Sequence, residues 1–477
     1  MHLLKLLFLL VPLAGLSACS VFPGWVASAP AQTQPTSGVV VPSAWSVTKP
    51  AAAAPEPVPV PPSLSATWWQ GFGDAQLTAL IQQALQANTS VRSAQAALLQ
   101  SRALRDVKSA ALGPSVNATG SAQRSQSANT SASNSFQAGF DASWEPDVFG
   151  ARRSADVAAQ ADALAAQDSL AAVRVSLAAE VAVTYLDLRA QQARLGIAQG
   201  NLAAQLETLQ LTRWRVQAGL ASSLDQEQGV AASEQTAAQV PALQSSVAQS
   251  LHALAVLTGQ VPGALGAAIE VPQAVPLPPA AWALSLPADT LRQRPDVRAA
   301  EQRISAALAR VQQAGADRLP SFRISGSLGL RALSLGALTG SGAALGSLLA
   351  SVSLPVLDGG AAQAQLRVQE AALLQARVAY EAAVLTALKD VEDALVSLQG
   401  NRDRLTRLQA AASAAANADL LARHRFDSGL IDYRVVLDAQ RTLLSTQDSL
   451  ESTRAALSAD HVRLYKALGG GWTPEPL

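Results

Sequence analysis

Cysteine occurs once in this 477-residue chain, at position 19, so no disulfide can form within it. Aromatic residues make up 4% and charged residues 15%, the latter well under the ~25% usual in globular domains. Basic and acidic residues number 35 each, which leaves no net field to steer toward phosphates. No basic patch is interleaved with aromatics, so nucleic acid is not an expected partner. The four histidines (His2, His252, His424 and His461) are scattered without metal-ligand spacing. A Gly-rich phosphate loop, a G-x-S-x-G elbow and a Cys/His constellation are all missing. Asp390, Glu392 and Asp393 fall in a helical pattern and read as a solvated face. Arg152 and Arg153, just after a strand, read as membrane-edge or helix-pairing side chains. No enzyme, cofactor or metal site is expected.

What the chain does have begins at the N-terminus. Leu3 to Leu16 is an apolar run too short to span a bilayer but of signal-peptide length, with Lys5 ahead of its core. Leu16-Ser17-Ala18-Cys19 follows and resembles the bacterial lipobox, which makes Cys19 the expected lipid attachment point of a mature protein that begins there. Two or more acyl chains form a stable anchor. Ser20, in place of an aspartate, directs the expectation to the outer membrane. Residues 19–66, rich in Pro, Ala, Ser and Thr, read as an extended arm.

The rest of the chain is written twice. Arg213-Trp214-Arg215-Val216-Gln217-Ala218-Gly219-Leu220 returns about 210 residues later as Arg423-His424-Arg425-Phe426-Asp427-Ser428-Gly429-Leu430. Each copy leads to a leucine-then-glycine close, Leu254 to Gly259 and Leu464 to Gly469. The expected halves are 67–260 and 288–470, with a Pro/Ala-rich linker over 261–287 and a tail over 471–477. Within 114–150, Phe136, Ala138, Phe140, Ala142 and Trp144 alternate with polar residues; within 320–358, Phe322, Ile324, Leu328 and Leu330 do the same. Alternation over about ten residues is the pattern of a membrane barrel strand. Four candidate strands are too few for the smallest common barrel of eight, and an open sheet in lipid leaves edge groups unpaired at several kcal/mol each. If these strands enter a membrane, several chains share one barrel.

The strands are followed by long helical patterns. No proline interrupts 151–217, where Leu170, Leu177, Val181, Leu188, Leu195, Leu202, Leu206 and Leu209 recur in helical steps. Some 65 helical residues extend roughly 100 Å. Residues 361–427 match it, and Leu443, Leu450, Leu457 and Leu464 keep a seven-residue repeat. Gly219 and Gly429 are the expected reversals, where glycine accepts a left-handed turn. Each half therefore reads as a strand hairpin carrying a long helical hairpin.

Several segments together resemble one family. They are the lipobox at Cys19, Trp68-Trp69 with Phe72 and Asp74, Ser143-Trp144-Glu145-Pro146-Asp147-Val148-Phe149-Gly150, Arg294-Pro295-Asp296-Val297, Val436-Leu437-Asp438-Ala439-Gln440, and Leu464-Tyr465-Lys466-Ala467-Leu468-Gly469. The chain resembles the outer-membrane efflux proteins (TolC-like), in the lipoprotein branch that serves resistance-nodulation-division pumps. That resemblance implies a mixed α/β membrane protein, mostly α. It would be a homotrimeric duct whose shared barrel has twelve strands, four from each chain, above a periplasmic coiled-coil tunnel. It implies outer-membrane lipid, a periplasmic adaptor and an inner-membrane pump as partners, with a passive exit role for drugs or toxic small molecules. Gly219, Leu220, Gly429 and Leu430 would be adaptor-docking tips, and Asp438 a member of an aspartate ring at the periplasmic gate. Arg434 and Pro146 depart from the family pattern, which often has an aliphatic residue at each place. A protein-secretion duct and a structural envelope lipoprotein are the alternative readings.

Overall fold

The computed structural model of the chain describes residues 42, 45, 67–126, 132–265, 269, 271–278, 291–340 and 342–471. Cys19, the signal segment and most of the arm lie outside them.

A 3-10 turn over Trp68–Phe72 leads into α1 (Ala75–Ala87), which Asp74 caps by accepting from the backbone N–H groups of Gln76 and Leu77. The helical pattern of this region is not continuous. It breaks at Asn88, whose Oδ1 accepts from the Ser90 N–H and starts α2 (Thr89–Ala110). Strands β1 (Ser115–Ser125) and β2 (Ser133–Trp144) follow, then α3 (Ala151–Gln217) and α4 (Ser223–Leu257). The second half repeats the order with α5 (Pro295–Ala316), β3 (Ser321–Ala332), β4 (Ala344–Ser353), α6 (Ala361–Asp427) and α7 (Tyr433–Ala467). Corresponding helices agree in length: 22 residues for α2 and α5, 67 for α3 and α6, 35 for α4 and α7.

The strands form one antiparallel sheet in the order β1-β2-β3-β4, so the two hairpins join through β2 and β3. The register puts Val116, Ala142, Phe140, Ala138, Leu330, Leu328, Ile324 and Val352 on one face. Ser143, Asp141, Gln137, Arg331, Ser327 and Ser351 lie on the other, where Thr119 donates to Asp141 (2.8 Å) and the Ser327 and Ser347 hydroxyls bond at 2.8 Å. Leu345 and Leu349 are apolar exceptions on that polar face. At the junction of the halves Gly139 pairs with Gly329, and a Cβ on Gly139 would stand 2.7 Å from the Gly329 Cα. Only glycines permit strands this close. β1 and β4 are exposed throughout, and each offers an open edge.

The helices are layered in the same way. Near the sheet α2 packs on α3, α3 on α5 and α5 on α6; beyond them α4 packs on α3, α3 on α7 and α7 on α6. Helix α6 is the edge of both layers. Stretches of α3 and α6 are apolar enough by composition to cross a membrane, yet α3's is 50% buried within this chain and α6's only 17%. The main core gathers Trp68, Trp69, Leu77, Ile81, Val181, Tyr185, Leu186, Leu188 and Leu254 where these layers overlap. Trp68 stacks on Tyr465 (4.8 Å between centroids), which ties the two ends of the described chain together. Trp45, from the arm, is buried among Val391, Leu395, Leu398 and Leu464.

Candidate functional site

At the far end of the long helices two turns of the same construction stand side by side. Gly219 and Gly429 have φ of 71° and 74°, a conformation that favours glycine. The Leu220 N–H donates to the Arg215 carbonyl (2.7 Å), and the Leu430 N–H to the Arg425 carbonyl (2.9 Å). Leu220 and Leu430 are 79% and 73% exposed, the outermost apolar side chains of the two tips. Each return helix starts differently. Ser222 and Asp225 build a reciprocal capping box on α4, whereas Asp432 precedes α7 with no side-chain cap bond.

The tips are clasped together by side chains from both helical hairpins. Arg215 donates to the carbonyls of Phe426 (2.6 Å) and Asp427 (3.1 Å) while its guanidinium lies 4.0 Å from the centroid of the Phe426 ring. A cation there meets the negative ends of two helices. Phe426 contacts Tyr433 (5.7 Å between centroids), and both are buried. Tyr433 in turn fills the space beside Gly229 of α4, where a Cβ would stand 2.6 Å from its hydroxyl. Burial pushes the Tyr433 hydroxyl pKa up.

Asp438 lies on α7, with its side chain 66% exposed and Arg441 at 3.9 Å. Arg434, one turn earlier, is exposed too, and among the described residues no carboxylate lies within 4.0 Å of its guanidinium. Arg434, Asp438 and Arg441 thus form a stripe of alternating charge on an open face of the helix, at spacings of four and three residues. The structure does not bring Asp438 to the tips themselves: Gly429 and Leu430 precede the start of α7, and Asp438 is its sixth residue.

Sequence reasoning missed the character of the α3–α7 seam. Leu206 is exposed, while Asn201, Gln205, Thr208 and Thr212 are buried. Asn201 donates to Gln447 (3.1 Å), Gln440 to Thr208 (3.2 Å), and Arg194 to Asp448 (2.6 and 3.2 Å). The signal was their spacing of four, three and four residues, which a solvated helix face shares. Arg152 and Arg153 are paired, with Glu145 (2.6 Å) and Asp147 (3.1 Å) respectively. After Pro146 the chain leaves the sheet in a turn, the Val148 N–H donating to the Pro146 carbonyl (3.0 Å). Asp390 is not a bare surface carboxylate, since it reaches Arg294 at 3.2 Å. Among the described residues no group of three or more His, Cys, Asp or Glu could hold a metal ion.

The family model described as "Outer membrane efflux protein" matches this chain twice, over residues 80–260 and 286–470. The toluene efflux pump outer membrane protein TtgF of Pseudomonas putida is 33% identical over 421 residues, 85% of each chain. The outer membrane protein OprJ of Pseudomonas aeruginosa is 31% identical over 421 residues, 85% of this chain and 86% of that one. Among solved structures, the outer-membrane channel OprN superposes with a TM-score of 0.83 at 34% identity, covering 91% of this chain and all of its own. The chain belongs to the outer membrane efflux protein family. Its fold is that of a trimeric TolC-like duct, mostly α, in which each chain gives four strands to a shared barrel. The protein is the outer-membrane channel of an efflux system, and its family consists of channel and transport proteins.

Proposed function

We propose that three copies of this chain form a passive exit duct for small molecules, lipid-anchored at Cys19, with the helical tunnel in the periplasm. The observation that carries this reading is the pair of open layers: a sheet and a helix layer that both end in uncovered edges, as one third of a ring must. Three four-stranded sheets joined β4 to β1 give a twelve-stranded barrel with no edge in lipid. The apolar sheet face meets lipid and the polar face lines the lumen.

The tips at Gly219-Leu220 and Gly429-Leu430 dock a periplasmic adaptor, which couples the duct to an inner-membrane resistance-nodulation-division pump that supplies the energy. Two exposed leucines on rigid, clasped turns suit an apolar contact repeated six times around a trimer. Asp438 and Arg434 line the neck at the closed end. Three copies would bring like charges together there, so the neck holds shut only while neighbouring ion pairs balance them. The duct catalyses nothing; solutes diffuse through once partners open it.

The test is accumulation of a fluorescent efflux substrate in cells that lack this chain. Restoring the wild type lowers accumulation, and restoring Leu220→Asp with Leu430→Asp does not, although that variant still reaches the outer membrane as trimers. Equal accumulation with and without the wild-type chain, in cells where pump and adaptor are present, would overturn the reading.

A further inference from the structure

Charge is distributed unevenly along the sheet. Between Asp106 and Asp141, and again between Asp317 and Asp358, the sequence contains no acidic residue. The four strands hold three basic side chains, Arg124, Arg323 and Arg331, against one carboxylate, Asp141. All four junctions with helices, at Ser115, Trp144, Ser321 and Ser353, stand at one end of the sheet. Arg124 and Arg331 lie at the other end, each the last residue but one of its strand.

The register puts these two arginines on opposite faces. Arg124, opposite Asn134, shares the apolar face with Ala122 and Phe136. Arg331, opposite Gln137, is exposed on the polar face, where its Nε donates to the Ser135 hydroxyl (3.3 Å). The other charged groups of that face have partners: Asp141 accepts from Thr119 (2.8 Å), and Arg323 reaches Glu145 at 3.4 Å. Among the described residues no carboxylate lies within 4.0 Å of the Arg331 guanidinium. Asp141 is four positions along β2 from Gln137, roughly 14 Å at ~3.4 Å per residue. That exceeds the Debye length of ~8–10 Å near physiological salt, so Asp141 does not cancel the charge of Arg331.

We propose that Arg331 makes the outer mouth of the duct select anionic solutes over cationic ones. This rests on the trimeric duct reading above and adds a charge preference to it. With the polar face toward the lumen, three copies set three guanidinium groups around the mouth. Twelve strands ~4.8 Å apart and tilted by ~40° close into a backbone ring about 24 Å across. Each arginine side chain extends inward from that ring, so its charge ends within about one Debye length of the axis. Every solute that passes the mouth is then within reach of the field. Fixed charge of one sign in a narrow opening concentrates ions of the other sign and depletes those of its own. The two ends of the duct thus differ in kind, a cationic mouth at Arg331 and a neck at Asp438. Arg124 faces lipid and takes no part in the selection.

Thiol modification in intact cells tests this without requiring the neck to open. Gln123 is exposed on the polar face directly opposite Ser135, so Gln123→Cys places a reporter beside Arg331 without removing its hydrogen-bond partner. The full-length variant is reacted with an anionic sulfonatoethyl and a cationic trimethylammonioethyl methanethiosulfonate, and wild type is treated alike to control for Cys19. Adding Arg331→Gln is expected to lower the ratio of anionic to cationic rates by about fourfold, the effect of three charges about 10 Å away in water at ~0.1 M salt. Arg331→Lys and Arg124→Gln are expected to keep the ratio, and a neutral methanethiosulfonate to react equally with all of them. A ratio unchanged by Arg331→Gln, or lowered as much by Arg124→Gln, would overturn the selectivity and leave the duct standing. Ala122→Cys on the opposite face separates the two failures. If it reacts with the charged reagents while Gln123→Cys reacts with none, the polar face does not line a lumen and the duct reading falls as well.

Discussion

In the first half Asn88 joins the start of α2 to the end of α4 with one neutral hydrogen bond, its amide donating to the Leu257 carbonyl at 2.9 Å. In the second half the equivalent Arg294 donates to the Ala467 carbonyl (2.9 Å) and to the carboxylates of Asp296 (2.7 and 3.0 Å) and Asp390 (3.2 Å). Both latches end at a glycine of positive φ, Gly259 packed on Ala87 and Gly469 on Arg294. The contrast recurs along α7 and α6. His461 stands where the first half has Leu251, and Asp419 where it has Leu209; both polar groups are buried. A duplicated backbone fixes lengths and turns, whereas the side chains that fill it diverge wherever the local partner changes. Both halves bury ionisable side chains, Asp168 and Arg189 in the first and Arg294, Asp419, Asp460 and His461 in the second, but the buried histidine belongs to the second half alone among the described residues.

The largest expected effect attacks what the halves share. Gly139→Val drives a side chain into the Gly329 backbone in the middle of the β2–β3 ladder that joins the hairpins, and heat-modifiable trimers should be lost from detergent extracts. Gly120→Ala, where a Cβ meets nothing within 4 Å, should leave them intact. Next comes the charged latch. Arg294→Ala strands two carboxylates that are themselves partly exposed, and should cost about 2–3 kcal/mol as a lowered thermal midpoint. Desolvation opposes the charged form of Asp296, but the Arg294 guanidinium outweighs it and lowers the pKa. A depressed carboxylate pKa stabilises the fold above its unfolded value of about 3.9 and ceases to do so as the pH falls through the folded value. The wild type should therefore lose this contribution on acidification, and the variant should have less to lose.

The His461 prediction sharpens the contrast. Burial, helped by Arg402, holds its pKa down at about 4. Below the ordinary value of about 6.5 the unfolded chain takes up a proton that the folded chain refuses, so stability falls as the pH drops from 6.5 toward 4. His461→Leu, copying Leu251, should remove that slope, a difference of about 2 kcal/mol at pH 5 by denaturation at matched pH. The smallest effect is Asn88→Ala, which loses a cap and a neutral hydrogen bond for about 1 kcal/mol. A cost equal to that of Arg294→Ala would break the comparison.

The architecture was legible because its signals are periodic. Phe136 to Trp144 alternate as a sheet with unlike faces must, and Leu443 to Leu464 keep the spacing of a packed seam. Gly219 and Gly429 announced turns through a conformation that glycine tolerates best. What escaped was partnership. Thr208 and Gln440 are buried only because another helix lies over them, and a polar residue carries no mark of being covered. Arg189 is fully buried, donating to the Ile269 and Val271 carbonyls (3.1 and 2.8 Å) and to Gln76 and Gln192, partners up to 113 residues away in sequence. The Gly139–Gly329 contact depends on strand register across the two halves, which composition does not encode.

The most direct test of the account is single-channel conductance of the purified mature protein in a planar bilayer, wild type against Asp438→Ala. A gated duct predicts a nearly shut wild type and a clearly more conductive variant, because the proposed neck then loses one charge from each copy. No conductance from either, with trimers intact and inserted, would contradict the duct and withdraw Asp438 from its gate.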